Sequence, residues 1–187
     1  MSTPMQAKLA AVSFCYFVYD VVFMTLLGII DRATVMHHGI VIGGYYAMLV
    51  SGRSGGEIIA MLFATEISNP FMHGRTILRL NGLRHTKLYE SLEYAYLGLY
   101  AYGRLYLGTI ITVDTVLASS PAVVKLCAIG LMLQSYYYIM HICGLLRTRY
   151  KEFKERESKG VQLEWFNTTP SIGNLDYAKR STKMKIF

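Results

Sequence analysis

Apolar residues run in long stretches along this chain, divided by short polar breaks. The first stretch, from about Leu9 to Ile30, ends at Asp31-Arg32 and is long enough to cross a bilayer, which takes about 20 helical residues. A second runs from Ala33 to Val50, with His37-His38 near its start, and the segment Ser51-Gly52-Arg53-Ser54-Gly55-Gly56 reads as a turn. The third, Glu57 to Phe71, is shorter and holds Glu66 ahead of Asn69-Pro70. Proline disfavours helical geometry in the residue before it, so a break or kink is predicted near Asn69. A basic connection follows, with Arg75, Arg79, Arg84, His85 and Lys87. The fourth stretch, Leu88 to Leu117, is rich in tyrosine and carries Arg104; Ser119-Ser120-Pro121 closes it. The fifth spans Ala122 to Leu146. From Arg147 to Lys159 charges alternate, which predicts a helix emerging into solvent, and Gly160 to Phe187 is expected to be an extended tail. The pattern predicts an all-α integral membrane bundle of about five transmembrane helices over residues 1–146. Residues 147–187 then form a charged helical extension and tail.

Composition supports that reading. Of 187 residues 53% are hydrophobic and 17% charged, against about 25% charged in an ordinary soluble domain. A disordered chain, a coiled coil and a nucleic-acid binder are excluded on this ground. Met1 to Lys8 offers one positive charge and no small-residue cleavage site, so the first stretch is read as a retained span. Cys15, Cys127 and Cys143 lie in apolar runs without metal-ligand spacing and are expected to be buried thiols; no metal or cofactor is expected. The net charge of +7 is distributed unevenly. With five spans, Lys8, Arg53 and Lys125 fall on the face that carries Met1, and Arg104 falls within a span. The other fifteen Lys and Arg residues fall on the opposite face, four of them (Lys179, Arg180, Lys183, Lys185) near the C-terminus. Positive residues favour the non-translocated side, so that face is cytosolic or matrix.

Several polar groups interrupt the apolar runs: Asp20, Glu66, Arg104 and His141 within or near spans, His37 and His38 at an entrance. A charge at the bilayer centre costs roughly 2.5–3.5 kcal/mol on insertion scales, so each needs a partner or a cavity. An imidazole can take a proton from an attacking hydroxyl or amine, or accept an acyl group, and a carboxylate such as Asp20 or Glu66 would orient it. Adjacent residues do not share a helix face, so one histidine at most is expected to point inward. Glu66 and Arg75 are expected to meet where Pro70 turns the chain back. Arg75, Arg79, Arg84 and Lys87 form a candidate site for an anionic phospholipid, by charge and by two-pronged hydrogen bonding.

Taken in order, Tyr16-Phe17-Val18-Tyr19-Asp20 in one span, His37-His38 opening the next, Glu66-Ile67-Ser68-Asn69-Pro70-Phe71 with Arg75, and Tyr102-Gly103-Arg104 in an aromatic span resemble the TLC domain family. Its members are multi-helix membrane proteins that include ceramide synthases and related lipid-handling homologues. The resemblance covers roughly Ser13 to Leu117 and is nearest to the branch outside the ceramide synthases. It implies a helical membrane domain here reduced at its N-terminal side. It also implies that His37, His38 and Asp20 match positions tied to the family's chemistry. Leu62-Phe63-Ala64-Thr65-Glu66 lacks the acidic pair that ceramide synthases carry.

The expected function is therefore a non-enzymatic lipid-binding membrane protein, an accessory subunit held among other membrane-protein subunits of an organellar complex. The mitochondrial inner membrane is favoured over the endoplasmic reticulum. Two alternatives remain open: an acyl-CoA-dependent lipid acyltransferase using His37 or His38 with Asp20, and a lipid sensor or transporter.

Overall fold

The computed structural model describes residues 1–169 and Leu175. Lys179, Arg180, Lys183 and Lys185 of the basic tail lie outside the described residues. Helix α1 covers Pro4–Leu26, α2 Arg32–Ser51, α3 Gly55–Glu66, α4 Asn69–Leu80, α5 Lys87–Tyr100, α6 Gly108–Leu117 and α7 Ala122–Ser158; a π-helix, Ala101–Leu107, joins α5 to α6. The described chain is an all-α bundle without strands.

The breaks read from sequence have local chemical causes. Thr3 and Gln6 cap α1 reciprocally, each side chain serving the other's backbone N–H. At its far end Gly28 takes φ +64°, and Ile29 N–H reaches back to the Met24 carbonyl. A Cβ would strain that left-handed turn. Asp31 then caps α2, its carboxylate accepting the Thr34 N–H at 2.7 Å. That bond holds the Asp31 carboxyl below its ordinary range. The predicted break at Asn69 is present: α3 stops at Glu66, and Pro70 stands in the first turn of α4, where its missing N–H costs nothing.

Helices α1, α2 and α7 are long and apolar enough to cross a membrane. The other two expected spans take different forms. Helix α3 has only 12 residues, short of a bilayer's thickness. The fourth stretch is one helical path from Lys87 to Leu117, interrupted by the π-helix.

Two compact units divide the chain. Unit 1 takes Met1–Ile67 and Tyr100–Tyr138, unit 2 Ser68–Leu99 and Ile139–Phe187. Within unit 1, α1 and α2 pack through Ala10, Phe17, Tyr45 and Met48. A second cluster joins Met61 to Ala128 and Leu131. Cys127 is half-buried, whereas Cys15 and Cys143 are exposed, correcting the expectation of buried thiols; the apolar runs that hold them face outward at those positions. Unit 2 departs most from expectation. Arg149, Glu152 and Arg156 recur at helical spacing on α7 but are turned inward against α5, so this face is not solvated. The segment after α7 is docked too: Leu163 is buried with Leu175, and the Lys87 N–H donates to the Glu164 carbonyl at 2.8 Å.

Candidate functional site

The histidine pair sits on α2 inside unit 1. Asp20 on α1 and His38 meet, with His38 Nε2 2.8 Å from Asp20 Oδ2. The other ring nitrogen, Nδ1, lies 2.9 Å from the backbone carbonyl of Thr34, one turn earlier on the same helix. Both neighbours are acceptors. Each ring nitrogen of His38 is thus paired with an oxygen of the protein itself. Phe17 packs edge-on against the ring, with centroids 5.3 Å apart. His38 is buried, and its two nitrogens are both engaged by the protein itself.

His37, at the next position, stands edge-on to the His38 ring with centroids 5.6 Å apart and lies within electrostatic reach of Arg104. Of the two rings His38 is the buried one, and His37 is half-buried.

Arg104 lies on the π-helix, where Gly103 packs directly on the α3 backbone. A Cβ at 103 would overlap the Ala64 carbonyl oxygen, so only glycine permits this approach. The approach delivers Arg104 Nη2 to the Thr65 carbonyl at 2.9 Å. That carbonyl belongs to the last turn of α3, which has no helical N–H to receive, and a cation there also meets the negative end of the helix dipole. The Tyr100 ring covers the guanidinium at 5.3 Å. Two of the intramembrane groups expected to need partners find them in these ways: Asp20 in His38, and Arg104 in a helix terminus and an aromatic face.

Several other buried polar groups are satisfied locally. Thr65, Thr115 and Ser135 return their hydroxyls to carbonyls one turn back on their own helices. Gln134 donates to the Ala33 carbonyl at 3.0 Å. An apolar cleft of about 30 Å³ opens beside them, lined by Ile40, Gly44, Tyr45, Met61, Cys127 and Leu131 among others. It accommodates about one or two waters, whereas small-molecule sites run to roughly 300–1,000 Å³. Neither His37 nor His38 lines it. His141 is exposed.

In unit 2 the four residues proposed for phospholipid separate into two kinds. Arg75 donates to Glu93 at 2.9 Å and stacks on Tyr96; Arg84 donates to Glu152 at 3.2 Å. Arg79 and Lys87 remain exposed, Lys87 lying 6.0 Å from the Trp165 ring centroid. Glu93 is buried and also takes Arg149 through both oxygens, with Tyr89 donating to it as well. Glu93 was not singled out from sequence, although it stands one helical turn from Tyr89 and Glu90. Among the described residues no group of His, Cys, Asp and Glu side chains has the arrangement of a metal site.

Among the described residues, three apolar helices of bilayer length, with polar groups between helices partnered by one another or by backbone, fit an integral membrane protein. The family model of the TLC domain matches residues 1–148, and the chain belongs to that family of lipid-related membrane proteins. No solved structure matches it.

Proposed function

We propose that this chain is a non-enzymatic, lipid-binding member of its family that serves as an accessory subunit of a larger organellar membrane complex, with the mitochondrial inner membrane as the favoured site. The observation that carries the non-enzymatic part is the engagement of His38. A general base needs a free lone pair aimed at its substrate, and the productive arrangement leaves one ring nitrogen for that purpose. Here one nitrogen faces Asp20 and the other a backbone carbonyl. The neighbouring cleft is also far smaller than an acyl chain needs.

The outer face of α1 supports the accessory role. Met5, Leu9, Val12, Tyr16, Tyr19, Phe23 and Leu26 are all exposed, and their spacing alternates four and three. That repeat lets a second helix interlock along the full length of the first. The acyltransferase reading draws on the 2.8 Å contact between His38 and Asp20, because a carboxylate-oriented imidazole is its first requirement.

Purification from native membranes under mild detergent separates the two. We expect stoichiometric co-purifying membrane proteins and no transfer from acyl-CoA to a long-chain amine. His38→Gln and Asp20→Asn should lower protein level and co-purification together. Turnover by the wild type, lost in His38→Gln at unchanged protein level, would overturn the proposal in favour of the enzyme.

A further inference from the structure

Unit 2 presents a patch of large apolar side chains next to exposed cations. On α4, Pro70, His73, Ile77 and Leu80 form one outward stripe at spacings of three, four and three, and Arg79 flanks it. The segment 164–168 is strapped across the turn that follows: Lys87 N–H donates to the Glu164 carbonyl, and the Thr168 hydroxyl donates to the Gly82 carbonyl at 3.3 Å. Leu163 points inward and holds the strap down. Ile77, Leu80, Trp165 and Phe166 are each more than half exposed. Two adjacent aromatic side chains held outward by a fixed backbone are poorly placed for water and well placed for the boundary between headgroups and acyl chains.

We propose that this patch is an anchor on an anionic bilayer interface: Trp165, Phe166, Ile77 and Leu80 enter the glycerol layer while Arg79 and Lys87 meet lipid phosphate. The proposal deepens the lipid-binding reading and moves the site, because Arg75 and Arg84 are committed to Glu93 and Glu152. Charge complementarity selects the lipid. Glu164 is the single carboxylate in residues 160–169, and the two cations outweigh it. A helix with an exposed apolar stripe and flanking cations lies in the interface plane in just this manner. The ammonium of Lys87 against the Trp165 ring keeps the indole and the cation at one level.

Trp165 is the only tryptophan in the chain, so its fluorescence reads the depth of this patch directly. The full-length protein is reconstituted into vesicles of phosphatidylcholine alone, or of equal parts phosphatidylcholine and phosphatidylglycerol. Each composition carries phosphatidylcholine brominated either near the glycerol or near the chain end. We expect loss of Trp165 emission with the shallow bromines, less loss with the deep ones, and weak quenching by aqueous iodide. The shallow loss should be greater in the anionic vesicles, and an Arg79→Gln, Lys87→Gln double variant should remove that increment. Strong iodide quenching without bromine quenching would overturn the anchor. Shielding from both quenchers would overturn it in favour of contact with a second copy, and equal shallow loss in both compositions would overturn the anionic assignment. None of these readings depends on acyl transfer or on co-purifying proteins, so failure here is distinguishable from failure of the proposed function.

Discussion

At His85 the fold surrounds an imidazole with charges from several elements. Burial is the main cause of its lowered pKa, about 4 against the usual 6.5, and the positive charges of Arg84, Arg149 and Arg156 outweigh the pull of Glu152. Between those two values the unfolded chain binds a proton that the folded chain refuses. Stability therefore rises with pH across the window: the contribution is complete above 6.5 and is lost as pH falls toward 4. We expect His85→Gln to flatten this part of the acid dependence when thermal unfolding in detergent is compared with wild type over the same range. Identical slopes for the two proteins would dismiss the idea. Single residues were legible in sequence to different degrees. Asp20 was read as a partner for the histidine pair, and it is one; which histidine it takes follows from the rotation of α2, which no local pattern reveals. Thr34 and Thr65 act through backbone carbonyls, which every residue possesses, so sequence carries no mark of them.

Between elements, the strongest organising feature is the run of alternating charges that joins α4, α5 and α7 within unit 2: Arg75 to Glu93, Glu93 to Arg149, Arg149 to Glu152, Glu152 to Arg84. Glu90 and Arg156 add a further pair at 2.6 Å. Glu93 is the central member, nearly inaccessible and shared by two guanidiniums. Removing one partner of a buried ion pair costs about 3–5 kcal/mol, because the charges left behind stay desolvated. Glu93→Gln should lose stability on that scale, measured by unfolding in detergent. Adding Arg149→Met should recover part of the loss by removing one stranded cation, and a purely additive result would argue against coupling. The charged face of α7 looked solvated because helical spacing says which residues share a side and not what that side meets. The matching carboxylates, Glu90 and Glu93, lie far away in sequence.

On the scale of the whole chain, the uneven distribution of Lys and Arg predicts an odd number of spans, with Ser119 and Ser158 on opposite sides of the membrane. Single cysteines at these exposed positions, in a background lacking Cys15, Cys127 and Cys143, should react with an impermeant reagent from opposite faces of sealed vesicles. Reaction from one face alone would end the five-span arrangement. The sequence by itself determined that this is a helical membrane protein, where several of its helices start or break, and which family it belongs to. Bilayer-length apolar runs, caps such as Asp31 and breakers such as Pro70 act on neighbours a few residues away, so their effect is written locally. Only the tertiary structure decided which polar groups meet. Gly103 lets two backbones touch and so brings Arg104 to the end of α3, while the rotations of α5 and α7 bury Glu93 against Arg149. Such pairings join residues tens of positions apart. They depend on helix rotation and close approach, which the period of a single helix leaves free.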